Sequence, residues 1–550
     1  MRAQDRAPGL IDALGRPRAD EPGLAVSVTR GARVVEWDCA GLASLEHRVP
    51  IGPQTRFHVV SVSKTFAAAA VLALAARGRL GLDDDVRRHL PELPAEISRH
   101  ATVTIRHLLS MTSGLRDVLE IERLRGVWRA SPFSARDLFA LACRQADASA
   151  APGARYIYGN VNAVLLEEIV RRASGTSPES FRRSALCEPL GLAATSARPH
   201  EGIVVPDLAE PYVPDGSGGW SRATDLLGIA ADPLTTSLDD LTRWVLALRS
   251  GAAGDGVLRA MAQPARLADG RAIYYGLGLA VRRYRGLTVL CHTGSQPGYK
   301  AHIAFAPERD LGLAILSNRE DTAVTAGAAA IMERAIGDGF PSPHPARDAR
   351  RRLAEAGFTA EQEKAIEGEY VDLDAGEWVA LSIEGGVLRG ETLGDPFFLY
   401  HAGGGVFRDA DDYRATLPVE LALAGRGPVQ MNLGGQPVAL ARCVRRPPDA
   451  EALTGLPGGY ESAALDSRHR VRREGGGLVV DYGLGGGSGR TFAMEAIGAD
   501  AFLVRPAAPG IAYRHLWSFE RDRQGRVVAA VVSMERLKRV RLPRAGSTSP

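Results

Sequence analysis

Lysine is almost missing from this 550-residue chain: Lys64, Lys300, Lys364 and Lys538 are the only four among 67 basic side chains, the rest being arginine. Cysteine is scarce too. Cys39, Cys143, Cys187, Cys291 and Cys443 are odd in number, widely spaced and without CxxC or Cys/His ligand spacing. That pattern argues against a disulfide framework and a zinc site, and neither a metal nor a cofactor is expected. No sign of charge dominates, since 67 basic against 64 acidic residues leave a net +3, and such a balance sets up no field to recruit nucleic acid or an anionic membrane. No apolar run approaches the roughly 20 residues of a membrane span. Residues 1–23 mix arginines with acids and lack an apolar stretch of roughly 7–15 residues before a small-residue cleavage site, so the expected compartment is the cytoplasm. What remains, 45% hydrophobic and 24% charged residues, is the balance of a folded, soluble protein.

At roughly 150 residues per domain the length predicts about two to four units. Residues 1–340 alternate strand-like and helix-like stretches. Residues 23–37 read as two short strands around Arg30-Gly31, and 63–80 is an Ala/Leu-rich helix without proline. Strand signals return at 288–291, 302–306 and 311–316, ahead of a helix near 325–336. Strands at both ends with helices between predict an α+β unit with an antiparallel sheet. Residues 341–360, rich in Gly, Pro and Arg around 337–357, read as a linker. Beyond it, short apolar runs broken by glycine predict antiparallel β structure, in units at 361–448 and 452–545. A repeat supports two copies: Tyr370 is followed after 14 residues by Glu384-Gly385-Gly386 and then Leu388, and Tyr460 at the same offset by Glu474-Gly475-Gly476 and then Leu478.

The sharpest chemical signal is Ser61-Val62-Ser63-Lys64 at the start of the Ala-rich helix. Positions i and i+3 share one helix face, so the Lys64 amine can reach the Ser61 hydroxyl. A serine hydroxyl needs a neighbouring base to become a nucleophile, and the start of a helix is a locally positive place where a lysine can serve. Tyr158-Gly159-Asn160 precedes a second helical stretch. A phenol there can act as base or proton relay, and an Asn amide both donates and accepts, which suits orienting Lys64 or a substrate amide. His292-Thr293-Gly294-Ser295 follows the strand run at 288–291, where Gly294 permits close backbone approach and a following amide can face a scissile oxygen.

In this order, with about 95 and then about 130 residues between them, the three motifs resemble the SxxK, YxN and KTG/HxG set of the class C β-lactamase and penicillin-binding peptidase family. Residues 107–115, Thr236-Ser237 with Asp239, Asp240 and Trp244, and Tyr275-Gly276-Leu277-Gly278 resemble its framework, over roughly residues 20–335. The resemblance implies a β-lactamase/transpeptidase-like fold. It also implies an acyl-enzyme on Ser61, proton transfer shared by Lys64 and Tyr158, orientation by Asn160 and an oxyanion hole from the Ser61 and Ser295 amides; which of Lys64 and Tyr158 is the acylation base stays open. His292 stands where many β-lactamases have lysine, which removes a cation for a substrate carboxylate and resembles the family's D-aminopeptidases and carboxylesterases instead. A hydrolase unit followed by two β units is the layout of those D-aminopeptidases, in which both units are antiparallel barrels and a loop of the last reaches the active site. The corresponding loop here is Gly485 to Thr491, within 485–496. Arg490 in it would repel an ammonium and attract a carboxylate. Asn162 also fits the family pattern. The expected function is a D-aminopeptidase-type peptidase or amidase, with a carboxylesterase of the same fold or a penicillin-binding-type sensor without turnover as alternatives. The expected partner is a small peptide, amide or ester, with homodimerisation left open.

Overall fold

The computed structural model describes residues 9–127, 134–200, 202–224, 231, 233–344, 349–394, 396–403, 405–408, 419–422, 429–433, 436–445, 453–483, 489–505 and 514–546. Its first part is built on a six-stranded antiparallel sheet. The strands are β1 (Leu24–Arg30), β2 (Arg33–Ala40), β3 (Ala280–Tyr284), β4 (Leu287–Gln296), β5 (Tyr299–Ala306) and β6 (Leu311–Ser317), in the order β3-β4-β5-β6-β1-β2. Strands from both ends of this stretch meet where β1 pairs with β6, Leu24 opposite Ser317 through Arg30 opposite Leu311.

β5 is buried along its whole length because the sheet is covered on both faces, and its side chains alternate between two cores. Ala301, Ile303 and Phe305 enter the core that holds the helices α1 (Ser63–Ala76), α2 (Val118–Leu124), α3 (Asn160–Ser174) and α4 (Leu238–Ser250). Ala304 and Ala306 face the second core, under α5 (Val324–Ile336). The Ala-rich sequence of α1 lets it sit at the centre: Ala67 to Val71 are all buried, and Gly278, at φ +93°, has Ala68 and the Lys64 carbonyl so near that no side chain would fit. α1 ends at Arg77 before Gly78, whose φ of 66° is a left-handed stop. Within the stretch expected to be a linker lie a helix at Ala349–Glu355 and the start of another at Ala360–Ile366. Among the described residues no helix is long and apolar enough to cross a membrane.

Two eight-stranded antiparallel units follow. The first, from Gly368–Asp372 to Gln436–Arg442, is a closed barrel, with Tyr370 paired to Arg442. The second, from Gly458–Ser462 to Val540–Pro543, comes nearly full circle through a bridge between Tyr460 and Arg544. The sequence repeat has a physical basis in both. Tyr370 and Tyr460 each donate a hydroxyl hydrogen bond to the carbonyl four residues upstream, on Ile366 and Leu456, at 2.7 and 2.6 Å. Gly385-Gly386 and Gly475-Gly476 have positive φ at both positions, as a tight hairpin between twisted strands requires. Leu388 and Leu478 then turn into their barrel interiors.

Candidate active site

Ser61 lies in a 3₁₀ turn, Val60–Val62, one step before α1 begins at Ser63. Val60 holds φ at +48°, a strained value for a β-branched residue and one that clusters at functional sites. The following helical turn brings Lys64 round so that its Nζ donates to Ser61 Oγ at 2.9 Å and to Asn160 Oδ1 at 3.0 Å. Lys64 is 4% exposed.

Asn160 is the first residue of α3. Its backbone N–H donates to the Asp117 carboxylate, which also caps α2 by accepting from Leu119 and Glu120 at 3.1 Å. Asp117 therefore ties the start of α3, and with it the partner of Lys64, to a second helix. Sequence reasoning missed it; the signal was an Asp directly before a helical stretch, an N-cap pattern. Asn162 points elsewhere, accepting from Ser113 Oγ at 2.6 Å and donating to the Gly159 carbonyl at 3.0 Å.

Tyr158 stands over this group. The Lys64 Nζ is 5.2 Å from its ring centroid, the His292 ring 6.2 Å, and its hydroxyl is buried with no hydrogen-bond partner among the described residues. The other face of the site is β4. His292 to Ser295 lie inside this strand rather than after it, because pairing with β5 continues to Gln296 opposite Tyr299. Gly294 is required by packing: a Cβ there would come 2.3 Å from the Val59 carbonyl and 3.1 Å from the Ser61 nitrogen. Ser295 is opposite Lys300, whose Nζ donates to its Oγ at 2.8 Å and pairs with Glu320 at 2.7 Å.

His292 donates from Nδ1 to the Thr293 carbonyl at 3.0 Å, which leaves Nε2 to accept from the Tyr275 hydroxyl, also at 3.0 Å. Burial, and then the Lys64 charge, push its pKa down to about 3, so the imidazole is neutral at physiological pH. Thr293 Oγ1 meets His302 Nδ1 at 2.9 Å, and burial holds His302 down to about 3 as well. Tyr275 belongs to a framework stretch; its role in fixing the His292 tautomer could not be read from sequence.

The structure thus brings Ser61, Lys64, Tyr158, Asn160, His292 and Gly294 together, whereas the Thr293 and Ser295 side chains turn to His302 and Lys300. Arg490 begins the strand Arg490–Ala496, opposite Tyr482, and residues 484–488 of its loop lie outside the described residues. The guanidinium that stands over the Tyr158 ring, 4.9 Å from its centroid, belongs to Arg536, in the turn between the strands Val527–Ser533 and Val540–Pro543. The second barrel reaches the site, and sequence gave no sign of this turn.

A model of the family described as Beta-lactamase matches residues 11–337. A D-aminopeptidase of Gluconobacter oxydans (strain 621H) is 25% identical over 515 residues, 93% of each chain. Penicillin-binding protein 4* of Bacillus subtilis (strain 168) is 28% identical over 317 residues, 54% of this chain and 68% of that one. Among solved structures, the octameric penicillin-binding protein homologue from Pyrococcus abyssi covers 77% of this chain and 96% of its own, with a TM-score of 0.54 at 22% identity.

Proposed function

Since this chain belongs to the beta-lactamase family and is a serine hydrolase of that fold, we propose that it is a D-aminopeptidase-type enzyme that cleaves small peptides or amides through an acyl-enzyme on Ser61. The observation that carries the reading is the 2.9 Å hydrogen bond between Lys64 Nζ and Ser61 Oγ, with Asn160 holding the amine from its other side. As Oγ attacks the carbonyl carbon, its proton passes to the Lys64–Tyr158 pair that borders it. The negative charge then develops on the former carbonyl oxygen, between the amides of Ser61 and Ser295. One such donor is worth about 100- to 1,000-fold in rate.

Collapse of the tetrahedral intermediate breaks the C–N bond, and the leaving amine needs a proton. Tyr158 is suited to deliver it, because its hydroxyl is engaged by no other described residue and its ring borders Lys64, from which the proton lost by Ser61 can return. Water enters by the same path in reverse and releases the acid. Neutral His292 puts no fixed cation on this wall of the cleft, which argues against a substrate carboxylate being held there. The peptidase reading over an esterase rests on the two barrels, carried along nearly the whole length of the relative named D-aminopeptidase.

Matched p-nitroanilides of D-Ala and L-Ala, with p-nitrophenyl acetate beside them, test the proposal on wild type and Ser61→Ala. Release from D-Ala that vanishes in Ser61→Ala is expected. Cleavage of the ester alone would favour the esterase, and undiminished turnover by a folded Ser61→Ala would remove Ser61 from the chemistry.

A further inference from the structure

Among the described residues, the turn from Met534 to Arg539 brings the second barrel to the active site, and it is clamped there. Its backbone closes on itself through Met534 N–H to the Leu537 carbonyl at 2.6 Å, and both side chains are buried. Bonds from its backbone and from Lys538 fix it to the rest of the chain. The Arg536 N–H donates to Glu120 Oε2 on α2 at 2.8 Å, and the Lys538 N–H to Ser149 Oγ at 3.0 Å. The Lys538 Nζ pairs with Glu377 of the first barrel at 2.9 Å. Glu377 in turn binds Arg155, three residues before Tyr158, at 2.8 Å. All three charged groups of this cluster are buried, so the turn, both barrels and the Tyr158 segment meet at one junction.

The guanidinium of Arg536 is therefore delivered to the Tyr158 ring by a rigid support, and side chains held this way lose little entropy on binding a ligand. A cavity of about 50 Å³ is lined by Tyr158, Arg536 and Lys538 and by the carboxylates of Glu377 and Glu535, more than one water requires. Resting on the reading above, in which Tyr158 protonates the leaving amine, the space beyond the phenol from Ser61 is the leaving-group side. We propose that Arg536 recognises the carboxylate of the leaving amino acid, so that the preferred substrates are dipeptides with an N-terminal D-residue, whose free C-terminus lies directly after the scissile bond. The guanidinium fork matches a carboxylate bidentately. Glu535, 3.5 Å from the same guanidinium, is the internal competitor that a substrate carboxylate displaces.

The test compares kcat/KM for D-alanyl-glycine and D-alanyl-glycinamide, which differ only in that carboxylate, in wild type, Arg536→Ala, Arg536→Lys and Glu535→Gln. The acid-to-amide ratio is internal to each preparation and does not depend on how much of a variant folds. Wild type should favour the acid by about 10- to 100-fold, the scale of a charge-assisted hydrogen-bonded pair. Arg536→Ala should bring the ratio to about one, Arg536→Lys should keep part of it, and Glu535→Gln should raise it, each through KM. A wild-type ratio near one, or an Arg536→Ala ratio equal to wild type, overturns the proposal. If D-Ala p-nitroanilide is cleaved in a Ser61-dependent way and acid and amide are treated alike, only this proposal falls; if no D-substrate is cleaved, the D-aminopeptidase reading falls and takes it along.

Discussion

Glu120 links the acid-base state of the site to the stability of the fold. It lies in the first turn of α2, 1% exposed, with Oε2 accepting the Arg536 N–H and Oε1 unpartnered among the described residues. Burial first, then the carboxylates of Glu535 and Asp117, push its pKa from 4.5 up to about 8. Above pH 4.5 the unfolded chain releases this proton while the folded chain keeps it, so the unfolded state binds fewer protons and stability falls as pH rises. The loss begins near 4.5, ends near 8 and runs at about 1.4 kcal/mol per pH unit. The whole interval amounts to at most about 5 kcal/mol. Glu120→Gln abolishes the term while keeping an acceptor for Arg536. Any cost of burying its extra N–H is the same at every pH and shifts the curve without changing its slope. His292 and His302, held neutral to about pH 3, contribute stability that is lost as pH falls from 6.5 towards 3, and that term cancels between the two proteins. Melting curves of wild type and Glu120→Gln from pH 5 to 9 should converge at the acid end and separate steadily up to pH 8, with the variant gaining. Parallel curves would refute the protonated, buried carboxyl.

Gly294→Ala should cost about 100-fold in kcat/KM with the melting temperature nearly kept, because β4 must back away from the Val59 carbonyl and the Ser61 amide to admit a methyl group and a displacement near 1 Å is worth that much; D-Ala p-nitroanilide kinetics beside a thermal melt read both, and full activity would dissociate β4 from the oxyanion. His292→Gln should leave the acid limb of the kcat/KM profile between pH 5 and 8 where it is, whatever it does to the rate, since a group held down to about 3 does not titrate there; a limb that moves would make His292 the titrating group. Glu377→Ala strands Arg155 and Lys538 as buried charges and should destabilise by about 3–5 kcal/mol, seen as an early melting step, whereas an unchanged melt would mean that water already screens the cluster.

What the sequence made legible was local. Ser61 and Lys64 sit three residues apart, so helical geometry alone brought them together, and the strands at 288–316 were written in apolar runs. The Gly-Gly hairpins and their tyrosines repeated at matching offsets, so two copies of one β unit could be seen before any coordinates. Between distant segments, the order of the motifs pointed to Asn160 and Tyr158 beside Lys64, but the contacts that support them were not legible. Asp117 reads as an ordinary N-cap until α3 arrives beside it. Tyr275 reads as framework until β4 turns His292 towards it. Val60 carries no compositional sign that its backbone is strained.

Arg536 is the clearest instance. A glycine-rich loop with an arginine at its end drew attention to Arg490, because permissive backbone is the signal that sequence carries for a loop that approaches a ligand. The turn that reaches Tyr158 has no glycine. Its approach comes instead from long side chains whose backbone is held by Glu120 and Ser149 and whose charge is held by Glu377. Each of those partners lies more than 150 residues away in the chain, so no window of sequence contains the reason for its position. The rarity of lysine was the one available hint. Of four lysines, Lys64 binds Ser61, Lys300 ties β5 to Ser295, and Lys538 anchors the turn that carries Arg536. In a chain that otherwise uses arginine, three of the four lysines are buried against oxygen atoms, and Lys364 alone is exposed.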